Sequence, residues 1–240
     1  MTQISQTGIL PSEPPSESPI QPIRSGMVLT GLSLAILLSQ LGTNIINVAL
    51  PQLVSEFDTT FGAIQWVVVS YLLVVTALIV GVGRFGDQLG KKRLYLWGLG
   101  IFMMASAICA LSVNLPMLIV GRALQGVGGA ILIALSFAFV GEVFPKNRTG
   151  FAMGVLSTMV SFGIALGPSL GAFLLASIGW QAMFWINIPL CVLAYFLVHA
   201  YLPASVDAPK QSASLRNFDW TGTVLLAATL AAYSLAMTLS

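Results

Sequence analysis

Arg122 is the residue with the largest chemical consequence in this chain, because the stretch around it, Met117 to Val140, holds no other ionisable side chain. It lies about two turns inside that stretch, counting roughly 1.5 Å per residue from Pro116. A guanidinium in hydrocarbon costs at least roughly 2.5 kcal/mol. It must therefore face a cavity, find a partner, or snorkel outward to polar headgroups. Helical spacing puts Gln125, Gly126 and Gly129 on its face, so a cation, an amide and a surface open to close packing share one side. A second polar set, Gln40, Asn44 and Asn47, recurs at i, i+4 and i+7 with Thr43 beside it. These amides either line a polar cavity or bond neighbouring helices. Tyr71 and Ser161 are two further polar side chains that could join such a face.

Two glycine-rich patterns accompany them. Gly83, Gly86, Asp87, Gly90, Lys91 and Lys92 fall in one polar break ending at Arg93, which reads as a tight turn or gate in which Gly86 and Gly90 let two helices reverse closely. Asp87 supplies one carboxylate there, suited to a helix N-terminus or an Arg. Gly81, Gly83 and Gly86 match a dinucleotide fingerprint literally. The match ends a lipid-length helix and has no acidic residue about 20 positions on, so it is rejected. Gly163, Gly167 and Gly171 recur every four residues with Pro168 among them; such a stripe admits another helix, and the proline removes one backbone hydrogen bond.

The elements that position these residues follow from composition. Of 240 residues, 57% are hydrophobic and only 8% charged, with a net charge of +2. An ordinary soluble domain carries roughly 25% charged residues. Lipid must replace water around most of this chain, and no basic block supports nucleic-acid binding. Helices are the open-ended structure that satisfies its own backbone in lipid, at about 20 residues per crossing. Spans are expected near Met27 to Leu50, Phe61 to Val82, Leu94 to Val113, Met117 to Val140, Phe151 to Ile178, Met183 to Leu202 and Thr221 to Ser240. Residues 1–26, rich in Pro, Ser and Glu, read as a disordered tail. Residues 27–202 form a six-span bundle, 203–219 a polar linker, and 220–240 a seventh helix that stops without a following loop.

Arg24, Arg84, Lys91, Lys92, Arg93, Lys146, Arg148, Lys210 and Arg216 all fall on one side of these spans, and the opposite breaks contain no Lys or Arg. The positive-inside rule makes that side cytoplasmic, with the N-terminus inside. Cys109 and Cys191 lie within spans, so no disulfide framework is implied. None of the eight acidic residues, Glu13, Glu17, Glu56, Asp58, Asp87, Glu142, Asp207 and Asp219, lies inside a span. Proton-coupled steps usually need an intramembrane carboxylate, and a metal or acid–base site needs clustered His, Asp or Glu. The expectation is a non-enzyme without cofactor or metal. His199 reads as an interfacial residue.

Taken together, the motifs resemble the major facilitator superfamily, specifically its fourteen-span multidrug:proton antiporter branch. Gly83 to Arg93 resembles the cytoplasmic gate motif, with Phe85 and Gln88 where Leu and Arg are usual. Gly121 to Gly129 is similar to the span-four motif built on an Arg, and Gly163 to Ala172 to the antiporter motif of span five. Asn47 to Pro51, Gly179-Trp180 with Asn187-Ile188-Pro189, and Asp219-Trp220 are also close to that branch. Gly42 stands where the branch usually carries an Asp.

The resemblance implies an all-α bundle of two inverted three-helix repeats, the N-terminal half of a proton-coupled efflux antiporter in a bacterial inner membrane, exporting small lipophilic or cationic substrates by alternating access. It also implies that Arg122 couples protons or substrate, that Asp87 latches the gate, and that span five packs on the other half. The substrate face would comprise Gln40, Asn44, Asn47, Tyr71, Arg122, Gln125 and Ser161. A second polypeptide would supply the missing bundle; the competing reading is a truncated or split-gene fragment without activity of its own.

Overall fold

A computed structural model describes residues 22–203 and the isolated positions Gly222 and Thr229. Most of the expected tail, linker and seventh helix lie outside the described residues. The described chain is helical, with no strand among the described residues: α1 (Pro22–Asn44), a 3-10 turn (Ile45–Val48), α2 (Leu50–Glu56), α3 (Phe61–Leu89), α4 (Lys91–Ala110), α5 (Leu115–Val143), α6 (Lys146–Ser177), α7 (Ala182–Trp185) and α8 (Asn187–Tyr201). Six helical stretches are long and apolar enough to cross a membrane, with α1 running into the 3-10 turn and α7 continuing into α8.

The spans overrun their expected ends, and the reason is physical. Helix α1 starts at Pro22, inside the expected tail. Helix α3 continues from Val82 to Leu89, so most of the expected turn at Gly83 to Arg93 is helix. Polar residues end the apolar stretch without ending the backbone ladder. The reversal falls on Gly90 alone, whose φ of 89° caps α3 and opens α4. That left-handed conformation is one only glycine adopts without strain. At the opposite side Thr60 and Asn114 accept the backbone N–H of Ala63 and Met117 at 3.3 and 2.9 Å, capping α3 and α5. Asp58, at φ 45°, ends α2 in the left-handed region Asp tolerates, while Thr59 N–H reaches back to the carbonyl of Val54 at 3.1 Å.

Packing follows a pattern that maps onto itself. Helix α3 packs on α5 as α6 packs on α1, α4 packs on α5 as α8 packs on α1, and α1–α5 and α4–α8 meet directly. Exchanging spans one to three with spans four to six leaves these contacts unchanged. Three crossings separate the members of each pair, so the exchange reverses direction; these are two inverted three-helix repeats. The two hub helices, α1 and α5, are the most buried spans, and α6 the least.

Glycines set the close approaches. A Cβ at Gly128 would lie 2.8 Å from the Gly98 carbonyl and 2.7 Å from Phe102 Cβ, and one at Gly126 would lie 2.8 Å from the Tyr71 carbonyl. Backbone this near cannot admit a side chain. One apolar core runs along α1, α4, α5 and α8 toward the basic end, around Tyr95, Phe102 and Phe139. A smaller one gathers Leu53, Ile64, Leu118, Trp180 and Phe184 at the other end.

Candidate functional site

Arg122 lies between these cores with 0% of its surface exposed, which excludes the snorkelling arrangement. Its position on hub helix α5 brings three other spans within reach. Nε donates to the carbonyl of Val67 on α3 at 3.0 Å, and Nη1 to the carbonyl of Gly42 on α1 at 2.9 Å and to Gln125 Oε1 at 2.6 Å. Gly42 falls in the last turn of α1, where carbonyls lack a helical partner further along. Gln125 is held in turn: its Nε2 donates to Ser106 Oγ on α4 at 2.8 Å, and Ser106 donates to the Phe102 carbonyl at 2.8 Å. Below the guanidinium lies the ring of Tyr71, its centroid 4.5 Å from Cζ, a cation–π contact. The Tyr71 hydroxyl lies 2.9 Å from Ser39 Oγ and donates to the Ser39 carbonyl at 3.1 Å.

All of these acceptors are neutral. A guanidinium has five N–H groups; Nε and Nη1 use theirs, and Nη2 is buried without a partner. The charge is stabilised by carbonyl dipoles and one aromatic face, with no carboxylate beside it. Three charge-assisted hydrogen bonds from one side chain to α1, α3 and α5 also act as a rivet among those helices.

Other residues singled out from sequence form two separate groups. Gln40 and Asn44 are half-buried on α1, where the stripe of α6 meets it. A Cβ at Gly167 would lie 2.7 Å from Asn44 Cβ, one at Gly171 2.8 Å from the Ile45 carbonyl, and one at Gly163 would collide with Gln40 Cβ. The stripe is filled by span one of the same bundle. Asn44 turns its Nδ2 back to the Gln40 carbonyl at 2.8 Å. Asn47 leaves this face, because the chain tightens into a 3-10 turn at Ile45 and the i+7 projection of an α-helix no longer applies; its side chain is exposed. Ser161 is exposed on α6 and bonds the Ser157 carbonyl at 3.3 Å. Helix α6 runs through Pro168 without interruption.

At the basic end, Asp87 pairs with Lys91 at 2.9 Å, and Lys91 also pairs with Glu142 at the end of α5. Lys92 donates to the carbonyls of His199 at 3.1 Å and Leu202 at 2.5 Å, satisfying the end of α8. Gly86 packs 3.1 Å, measured from an added Cβ, from Leu135, whereas Gly83 faces open space. The sequence pattern assigned no role to Ser39, Ser106, Val67 or Glu142, and marked Gly42 only as the position where an Asp is usual. Ser106 and Glu142 carried a usable signal, as a hydroxyl inside a span and an acid at the basic end; main-chain carbonyls carry none. Among the described residues no group of His, Cys, Asp and Glu is arranged to hold a metal.

An inverted-repeat bundle with a cation sealed at its centre defines a class of multi-pass membrane protein. The family is defined by a match of the Major Facilitator Superfamily profile to residues 32–240, and the chain belongs to that superfamily. It is similar to the "Riboflavin transporter RibZ" of Clostridioides difficile, 37% identical over 88% of this chain and 45% of that protein. It is also similar to "Multidrug resistance protein 3" of Bacillus subtilis, at 32% over 88% of this chain and 40% of that protein. "Efflux pump dotC" of Dothistroma septosporum is 34% identical over 83% of this chain and 34% of its own length. The chain thus spans less than half the length of these relatives.

Proposed function

We propose that this chain forms the amino-terminal bundle of an efflux transporter of the fourteen-span branch, moving small lipophilic solutes across a bacterial inner membrane by alternating access. The observation that carries this reading is the inverted three-span packing around Arg122, in a chain whose family match runs to residue 240. Two relatives named for multidrug resistance and efflux support the branch. The basic end, with Arg84, Lys91, Lys92, Arg93, Lys146 and Arg148, faces the cytoplasm, and so does the N-terminus.

A complementary six-span half completes the solute pathway in this reading. Protons drive the exchange through a carboxylate supplied outside the described spans, because Arg122 meets neutral groups only. Expression in cells stripped of their own exporters tests it. The expected result is no efflux from the 240-residue chain alone, efflux on co-expression with a complementary half, and its loss in Arg122→Ala. Uncoupler-sensitive efflux from the chain alone would end the half-transporter reading, and unchanged efflux in Arg122→Ala would remove Arg122 from the mechanism.

A further inference from the structure

The outer side of the seam between α4 and α8 combines a cation with an aromatic surface, far from Arg122. At the basic end, three consecutive residues of α4 point three ways. Lys91 pairs with Glu142 on α5, and Lys92 donates to the carbonyls of His199 and Leu202 at the end of α8. The next step, about 100° further round the helix, carries Arg93 past α8 to the outer surface. There it is exposed and makes no hydrogen bond or ion pair among the described residues. Neither α4 nor α8 contains an Asp or Glu, and Asp87 and Glu142, the described acids at this end, both pair with Lys91. Lys92 also offsets the negative end of the α8 dipole. The mouth of the seam is therefore positive, with no carboxylate of its own to neutralise it.

Two strips of side chains run inward from that mouth. On α4, Arg93, Trp97 and Gly100 recur at i, i+4 and i+7, with Arg93 one position beyond Lys92 and Gly100 one beyond the buried Leu99. On α8, Val192, Tyr195 and His199 each follow a buried residue, Cys191, Ala194 and Val198. These are the third and sixth spans and run antiparallel, so equal steps away from their inward faces turn both strips to the same side of the seam. Trp97 is 70% exposed and Tyr195 39%, and the Tyr195 ring stacks on the His199 imidazole with centroids 6.0 Å apart. A Cβ at Gly100 would meet nothing within 4 Å, which leaves open space beside α4 there. From the basic end inward each strip runs from nitrogen donor to aromatic ring to apolar surface, with Trp97 about 6 Å and Gly100 about 10 Å deeper than Arg93.

We propose that this seam is a binding site for an anionic phospholipid. Arg93 and the His199 imidazole donate to the phosphate oxygens, Trp97 and Tyr195 flank the glycerol, and one acyl chain lies over Gly100 and Val192. The order of groups matches that of a phospholipid, with charge outermost, amphipathic rings at the interface and hydrocarbon beneath. A free phosphate would engage only the outermost pair. A zwitterionic headgroup brings an ammonium that finds no carboxylate on either helix, so the site discriminates by net charge. A charge-assisted hydrogen bond from a guanidinium is worth about tenfold in affinity.

Native mass spectrometry of the full chain in detergent, titrated with phosphatidylglycerol or with phosphatidylcholine of the same acyl chains, tests the site. Wild type is expected to bind phosphatidylglycerol about tenfold more tightly. Arg93→Gln should bind the two lipids alike, its retained phosphatidylcholine binding showing that the seam is folded. Arg148→Gln removes another exposed charge at the same end and should keep the preference. No lipid adduct on wild type, equal affinity for the two lipids, or a preference that survives Arg93→Gln overturns the proposal. A preference lost as fully in Arg148→Gln would make it a property of the whole basic end and overturn the site. Displacement of the lipid by inorganic phosphate at matched concentration would reveal a free-anion site and overturn the lipid assignment. The transporter reading stands under every one of these outcomes.

Discussion

The α1–α6 seam allows one substitution to be compared with itself in a single helix. Gly163 and Gly154 both lie inside α6, so replacing either with Ala gains the same helix propensity, about 1 kcal/mol. Their surroundings differ. A Cβ at Gly154 meets nothing within 4 Å, whereas one at Gly163 would come nearer to Gln40 Cβ than the 3.0 Å real Cβ atoms keep, with Gln40 C and the Leu37 carbonyl at 3.4 Å. Those atoms belong to main chain or to its first side-chain carbon and cannot rotate away. Overpacking of this kind costs about 1–3 kcal/mol, which offsets or exceeds the propensity gain at Gly163 only. Gly154→Ala should therefore melt above Gly163→Ala by about 2–12 °C, at about 2–4 °C per kcal/mol for a chain of this size. The protein carries its own reporter, since Cys109 and Cys191 are free and buried at 0% and 1% exposure. A thiol-reactive fluorescent dye read during heating in detergent follows their release. Equal melting temperatures, or Gly163→Ala above Gly154→Ala, would refute the claim that the stripe is filled by span one.

The basic end yields two further expectations. In a double-mutant cycle of Lys91→Gln and Glu142→Gln, the coupling energy should be about 0.5–1 kcal/mol, because both side chains are partly exposed, at 13% and 27%, and water screens the pair; coupling indistinguishable from zero in thermal unfolding would show that the contact stabilises nothing. Lys92→Gln leaves the last carbonyls of α8 without their cation, so amide exchange over residues 196–203 should speed several-fold while Lys92→Arg restores protection; unchanged exchange in Lys92→Gln would exclude the cap.

The spans were legible because lipid demands about 20 apolar residues per crossing and the chain supplies them in runs. Their ends were not. Helix α3 has 29 residues, about 44 Å at 1.5 Å each, and outruns a hydrocarbon core of about 30 Å, so its last turns are polar and read as loop. Reversal at Gly90 depends on a backbone angle that neighbouring Gly83 and Gly86 offered equally well in sequence. Arg122 was recognisable as a buried cation needing partners, because its cost in lipid is independent of its neighbours. The partners were not recognisable, since the carbonyls of Val67 and Gly42 belong to every residue alike and only the crossing of α1, α3 and α5 selects them. Asn47 shows the converse failure: its spacing was right for an α-helix, and the helix changed pitch two residues earlier, at Ile45.

The two seams related by the inverted repeat are built with opposite roles, and this bears on which spans can move. In the α1–α6 seam the glycines sit on the peripheral helix, at Gly163, Gly167 and Gly171, and the hub α1 keeps its side chains. In the equivalent α5–α3 seam they sit on the hub, at Gly126 and Gly129, against Tyr71 and Val74. Both pairs are tight, but only the second is also riveted by Arg122, through Val67 on α3 and Gly42 on α1. Those bonds span 2.9 to 3.0 Å, so about an ångström of separation forfeits them and leaves a buried cation with too few acceptors, a loss of several kcal/mol. Helices α1, α3 and α5 therefore resist separation, and the rivet ties one three-helix repeat to the other. Separating α1 from α5 would therefore require another acceptor to replace the Gly42 carbonyl at Arg122.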